Sequence, residues 1–321
     1  MIVLPNLSRL RLSSSDATGM NADTDLRQCG SSKRQRVDAI DMFALCDQIK
    51  SGKDLREHLK KLRFAYDHTG THCVSPPDIK NALSVVRGVE TQEENTRRLL
   101  AAQYQEVVSN IQDSGDGWNA VQQWVKSSTP VDTYLDFENS DEDSDDDDAS
   151  EGEGSMPAED VVYNMYNLFG NCPPLTQDTT FLHSVQGSEN VPILGGRKLQ
   201  DFKHLIGKGH LNASFMSTSI APITEYFRRP LSAFYDRNAD CCMCAITVSA
   251  GIRVLPIVLR PELATIKEEY NNFADEKEVI LPPGIVLVFQ GRRRVTIPFE
   301  NAHFTRVRVS FYRAVLPNDC A

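Results

Sequence analysis

The sequence predicts an α+β fold in which a small helical domain precedes a domain of antiparallel sheets. Three observations carry this. Apolar residues recur at helical spacing from about Asp41 to Ser128; a stretch of almost pure Asp, Glu, Ser and Gly interrupts the chain at 139–154; and short β-favouring runs outnumber helical ones beyond residue 170.

Residues 1–38 are rich in Ser, Asp, Asn and Arg without sustained apolar periodicity, which predicts a disordered tail because too little surface is buried to offset ordering entropy. Helical spacing then appears in Phe43, Ala44, Cys46 and Ile49, in Leu55, Leu59 and Leu62, and in Ile79, Leu83 and Val86. Thr91-Gln92-Glu93-Glu94 reads as a capping box opening a longer helix through Leu99, Leu100, Tyr104, Val107 and Ile111. A short helix with Trp118, Val121 and Trp124 completes a helical domain placed at 39–130. An acidic linker follows at 131–156, extended by like-charge repulsion. Its Ser140 and Ser144 are open to two readings, kinase targets or parts of a solubilising spacer.

The second domain is placed at 157–317. It opens with a helix over Ala158 to Gly170, with Val161, Val162, Met165 and Leu168 on one face and Gly170 as C-cap. Strands are predicted at Thr180–Val185, Ala213–Ser219, Met243–Ser249, Ile252–Val258, Lys277–Leu281, Ile285–Gln290, Arg292–Ile297 and Phe304–Arg313, with helices only at Leu199–Ile206 and Ile223–Phe234.

The formal charge of −10 is concentrated: eleven acidic residues and no Lys or Arg fall between Asp136 and Glu153, so the remainder is close to neutral. No broad field then points to nucleic acid or an anionic membrane as partner. No apolar run approaches the ~18 residues of a membrane span, and the eight scattered cysteines do not form a compact disulfide framework. The expectation is a soluble intracellular protein, cytoplasmic or nuclear; Lys33-Arg34-Gln35-Arg36 is either a short nuclear address or a solvated turn. No metal is expected. Cys241, Cys242 and Cys244 lack further ligands and read as buried thiols, and His68, His72 and Cys73 read as a polar loop. Arg292, Arg293 and Arg294 read as a basic turn between two strands.

Two motifs carry chemistry. Glu276 and Glu278 lie two apart at the head of the apolar run Val279-Ile280-Leu281-Pro282-Pro283-Gly284, so on an extended strand both would face one cleft. Paired acids suit a reaction that develops positive charge on a sugar ring. Upstream stands Ser217-Thr218-Ser219. With this order and spacing, residues 158–313 resemble the arginine-type mono-ADP-ribosyltransferases, which carry a first strand with an Arg, then a Ser-Thr-Ser strand, then a Glu-x-Glu strand running on to Pro and Gly.

The resemblance implies a fold of two packed antiparallel sheets split by an NAD cleft, with NAD as substrate and a protein side chain as acceptor. It implies that Glu278 is the catalytic glutamate, that Glu276 engages an acceptor guanidinium, and that Ser217, Thr218 and Ser219 belong to the NAD site, Ser217 supporting the catalytic glutamate and the nicotinamide end while Thr218 and Ser219 stabilise the cleft wall. It implies also that Tyr270 and Phe273, in the preceding loop, recognise the target, although inward packing is an equal reading of those two aromatic residues. The first strand departs from the pattern: Phe181-Leu182-His183-Ser184-Val185 offers His183 and Ser184 as NAD ligands where the arginine branch has Arg and Gly. The polymerase-like branch of the wider superfamily has a His there. A neutral imidazole can bond ribose hydroxyls but does not offset pyrophosphate charge as Arg does. Three functions stay open at this level: a transferase directed at arginine, a catalytically silent module that binds NAD-like ligands or a protein, and an interaction protein that works through its helical half.

Overall fold

The computed structural model describes residues 49–67, 79–111, 115–127, 129–135, 155–184, 193–194, 197–198, 209–222, 243–260, 277–297 and 305–319, all within one compact unit, Arg36–Ala321. Six helices come first: α1 Gly52–Asp67, α2 Ile79–Val86, α3 Glu90–Ser109, α4 Asp116–Lys126, α5 Thr129–Leu135 and α6 Ala158–Asn171. The strands are β1 Thr179–Ser184, β2 Ile193–Leu194, β3 Arg197–Lys198, β4 Gly209–Leu211, β5 Met216–Ser219, β6 Met243–Val248, β7 Glu278–Leu281, β8 Val286–Ile297 and β9 Thr305–Val315. The fold is α+β. Seven strands run in the order β4-β8-β9-β6-β1-β5-β7, all neighbours antiparallel except β6 and β9, while β2 and β3 form a separate pair.

The large sheet is almost divided. β1 pairs with β6 along six residues but with β5 only at Leu182 and Ser219. The β5–β7 pair is therefore a nearly separate two-stranded leaf attached to a five-stranded one.

One core underlies both parts of the chain. Leu55, Leu59, Leu100, Tyr104, Trp118 and Trp124 from the helical half are buried in the same cluster as Phe169, Phe181, Ile246, Leu281 and Leu287. The described helices of the expected first domain thus share their core with the sheet and do not form a domain of their own. The physical reason is that their apolar stripes need a partner face, and α6 and the sheet supply it. A Cβ at Gly52 would overlap the backbone carbonyl of Glu159, so α1 lies directly on the start of α6. α5 is helix where the linker was expected to begin, with Val131 and Leu135 buried. On the opposite side a smaller cluster packs Ala82, Val85 and Val86 of α2 on Leu182, Ala245, Val309 and Phe311.

Several local expectations change for identifiable reasons. α3 starts at Glu90 with Val89 as N-cap and no side-chain cap bond, so the capping box at Thr91 does not form. α6 runs past Gly170 to Asn171, and Arg253 closes its end by donating to the carbonyls of Gly170 at 2.5 Å and Cys172 at 2.7 Å. Arg260 does the same for α3, donating to Val108 O at 2.9 Å and Ile111 O at 3.3 Å while lying 4.0 Å over the Trp118 ring. The strand expected at Ile252–Val258 is two isolated bridges and a 3-10 turn at Ile257–Leu259, because Pro256 lacks the N–H a ladder needs. The strands expected at Ile285–Gln290 and Arg292–Ile297 are one, β8; the register shifts between Phe289 and Gly291, and Gly291 takes φ 134. The glycine makes a bulge and not a turn, so Arg292–Arg294 lie within a strand.

The tail at 1–38, the acidic stretch at 136–154, the helices expected at Leu199–Ile206 and Ile223–Phe234, His68, His72, Cys73, Cys241 and Cys242 lie outside the described residues. Cys244 is described and is buried. Among the described residues no helix is long and apolar enough to cross a membrane, and no cluster of His, Cys, Asp and Glu is placed to hold a metal ion.

Candidate active site

β5 is fixed by the residue before it. Phe215 stacks on Phe169 of α6 with ring centroids 5.7 Å apart and meets Trp124 of α4 edge-on at 5.8 Å. Ser214 donates to Asp132 of α5 at 2.6 Å, so the strand enters the sheet already gripped by three helices. β7 is fixed at its exit. The Asn212 amide donates to Ser214 O at 2.6 Å and Pro282 O at 3.1 Å, and Gly284 N donates to Asn212 O at 2.7 Å. Gly284 takes φ 85, a conformation only glycine adopts without strain, which explains the Pro-Pro-Gly ending of the motif. Asn212 was not singled out from the sequence; nothing in Leu211-Asn212-Ala213 distinguishes it from a loop asparagine.

In the register of β5 and β7, Ser219 lies opposite Glu278 and Ser217 opposite Ile280. Ser217 and Glu278 are thus diagonal neighbours on one face, within reach across the pair. The Ser217 hydroxyl donates to Glu278 Oε1 at 2.5 Å, and Glu278 is only 5% exposed. The carbonyl of the same serine takes the second partner: His183 Nδ1 lies 2.8 Å from Ser217 O. A carbonyl only accepts, so Nδ1 carries the proton. Burial pushes the imidazole pKa below its usual value, and the bond to Ser217 opposes that in part. The ring is neutral at physiological pH, and its Nε2 is then an acceptor. One serine joins the residue from β1 to the acid from β7 across the line where the sheet divides.

The other two hydroxyls are engaged with backbone. Thr218, 1% exposed, donates to Val279 O at 2.5 Å, and Ser219 donates to Ala221 O at 2.9 Å while accepting from Ala221 N at 3.2 Å. Ser184 ends β1 opposite Met243. Glu276, Tyr270 and Phe273 lie outside the described residues.

Lys277 stands just before β7. It takes φ 50, the left-handed region, which costs a non-glycine residue about 1–2 kcal/mol. β7 begins only at Glu278, so the alternation that would put residues 276 and 278 on one face does not extend through Lys277. The Lys277 ammonium reaches Glu93 Oε1 of α3 at 2.8 Å, and its carbonyl accepts from Ile220 N at 3.3 Å.

The arrangement presents a desolvated carboxylate, oriented by a hydroxyl, beside a neutral imidazole. Such a carboxylate is worth most against a cation that develops close to it, because little water competes. No protein-family model matches the chain, and no curated protein matches it. Similar solved structures include Plx2a, an ADP-ribosyltransferase toxin from Paenibacillus larvae, with 12% identity over 70% of this chain and 96% of that one and a TM-score of 0.43. The enzymatic component C2-I of the C2-toxin from Clostridium botulinum is similar at 16% identity over 67% of this chain and 46% of that one, with a TM-score of 0.42. The C3 exoenzyme of Clostridium limosum is similar at 10% identity over 69% of this chain and 94% of that one, with a TM-score of 0.40.

Proposed function

We propose that the chain is an NAD-dependent mono-ADP-ribosyltransferase that transfers ADP-ribose to a protein side chain, arginine, with release of nicotinamide. The observation that carries the reading is the double use of Ser217, whose hydroxyl holds Glu278 and whose carbonyl holds His183. The three strands of the resemblance thereby meet at one residue.

In this reading Glu278 stabilises the oxocarbenium character of the nicotinamide ribose as its bond to nicotinamide nitrogen breaks, and the bonding pair leaves with nicotinamide. Ser217 keeps the carboxylate aimed. His183 accepts a ribose hydroxyl at Nε2. The acceptor nitrogen then forms the new glycosidic bond to the ribose carbon that nicotinamide has left, and its proton passes to solvent. Glu276 orients the planar guanidinium in bidentate fashion, and Tyr270 and Phe273 touch the target protein. The test compares NAD hydrolysis with transfer to an arginine polymer on one preparation. Glu276→Gln is expected to suppress transfer more than hydrolysis; equal loss of both, or a linkage cleaved by the chemistry that cleaves serine O-glycosides or carboxylate esters and not arginine linkages, overturns the arginine assignment.

A second reading rests on His183. A half-buried neutral imidazole brings no positive charge to the pyrophosphate, where the arginine branch has a permanent one. A module that binds NAD without cleaving it fits that feature. Calorimetric NAD binding without nicotinamide release selects this alternative.

A further inference from the structure

Glu278 begins a strand at the edge of the sheet, and its neighbour on the N-terminal side does not continue the ladder. The bridge to Leu255 secures Ile280, two residues further in. The first residue of an edge strand frays unless something outside the ladder holds it. Here the residue before it, Lys277, is the only non-glycine with positive φ among the described residues. Its carbonyl is tied to the end of β5 through Ile220 N, and its ammonium to Glu93. Both charged side chains are partly buried, 21% exposed for Lys277 and 26% for Glu93.

Glu93 stands in the first turn of α3, and its carboxylate meets Lys277, with Arg97 further off at 3.9 Å. The helix that carries Glu93 is firmly placed. Arg260 binds carbonyls at its far end, and Gln103 in its middle exchanges two hydrogen bonds with Thr176, at 2.8 and 3.2 Å. α3 is thus a fixed reference standing beside the strand that bears the acid.

We infer that Glu93 and Lys277 are positioning residues, and that through their ion pair α3 sets the entry of β7 and hence the aim of the Glu278 carboxylate at the scissile glycosidic bond. The inference rests on the transferase reading for its kinetic consequence and on the geometry alone for its structural one. It gives the helical half a part in the chemistry, and it explains a strained residue that a glycine would occupy more easily: glycine has no ammonium to anchor.

The test uses the full chain and reads nicotinamide release together with amide hydrogen exchange. Glu93→Gln and Lys277→Met are each expected to lower kcat roughly tenfold with KM nearly unchanged, since a carboxylate moved by a fraction of an ångström loses stabilisation of the transition state. The double variant is expected to be no slower than either single one, and Lys277→Arg to keep most of the rate. Lys277→Gly separates the two roles of the position. It relieves the backbone and removes the anchor, so it is expected to fold well and turn over as slowly as Lys277→Met. The Ile220 and Val279 amides are expected to exchange faster in Glu93→Gln, while those of the β8–β9 ladder do not. Additive losses in the double variant, full activity in Lys277→Gly, a lowered melting temperature with kcat retained, or unchanged exchange at Ile220 and Val279 each overturn the inference. If the unaltered protein releases no nicotinamide, the transferase reading fails by itself, and the exchange measurement still decides whether α3 holds β7.

Discussion

The two ends of the sheet are held in different ways. β8 and β9 pair along eleven residues, and their core-facing side chains, among them Leu287, Phe289, Tyr312 and Ala314, belong to the large cluster. β5 and β7 pair along four, and the leaf they form meets the rest of the sheet at one. A long ladder with apolar faces needs no further support. A four-residue leaf does, and it has side-chain bonds instead: Ser217 to Glu278, Thr218 to Val279, Asn212 to Pro282 and Lys277 to Glu93. The candidate site stands where backbone pairing is thinnest, and the polar residues there both hold the leaf and aim the acid. The long ladder is thus held by backbone pairing, and the short leaf by side-chain bonds as well.

The sharpest way to break this contrast is in the core. Phe215→Ala is expected to cost about 3–5 kcal/mol and Leu287→Ala about 2–5 kcal/mol, since each deletes a large buried side chain. Urea unfolding measures both. The two should part in activity per folded molecule: Leu287→Ala retains it, whereas Phe215→Ala loses it because β5 loses its grip on α4 and α6. Equal retention would mean that the leaf is held by its ladder after all.

Next in size is Glu278→Gln, which keeps shape and removes charge. Loss of a preorganised charged group typically costs on the order of a hundredfold or more in rate. Nicotinamide release is expected to fall by that much while the melting temperature stays close to that of the unaltered protein, and turnover within a few-fold would remove Glu278 from the chemistry.

How much of this was legible in the sequence follows the same division. The α+β class and the positions of β1, β5, β6, β7 and β9 could be read because β-favouring runs bounded by turn residues are local signals. The pairing of Ser217 with Glu278 was implied only by resemblance, since sixty-one residues separate them and no periodicity spans that distance. What misled was also local. Gly291 reads as a turn in isolation and is a bulge in a continuous strand, because β9 is long enough to pair past it. Ile252–Val258 has the composition of a strand, but Pro256 removes the donor. The separation into two domains failed because an acidic run reports only on itself; that Trp124, Phe169 and Phe215 meet in one core has no signature in the residues between them. The left-handed Lys277 has no local signal either.

A finer comparison sets two neighbouring hydroxyls against each other. Ser217→Ala removes a hydrogen bond to a charged group, worth about 1.5–3 kcal/mol, and Thr218→Val removes one between neutral partners, worth about 1 kcal/mol. The first is expected to appear mainly as a roughly tenfold fall in kcat, because the freed carboxylate no longer keeps its aim. The second should appear as reduced stability with kcat nearly unchanged. Reversal of that pattern would make Thr218 and not Ser217 the residue that serves the acid.

The smallest expected effect is the dependence on pH. Burial lowers the pKa of His183, and burial with Lys61 nearby lowers that of His58 in α1. A histidine whose folded pKa lies below its unfolded value of 6.5 binds fewer protons in the native state between those two points. Stability from this source is therefore complete above pH 6.5, declines as pH falls below it, and levels off under the folded value. His183→Gln, whose amide can still donate to Ser217 O, and His58→Gln should each flatten the fall in melting temperature on acidification. Only the first belongs to the leaf. Protonation of His183 places a charge beside Ser217, so in acid the Ile220 and Val279 amides should lose protection before those of β8 and β9, and His183→Gln should abolish that difference while His58→Gln leaves it intact. Amides of both regions losing protection together as pH falls would show that the leaf opens only with the whole molecule, and that its attachment at Leu182 and Ser219 is stronger than one pair of residues implies.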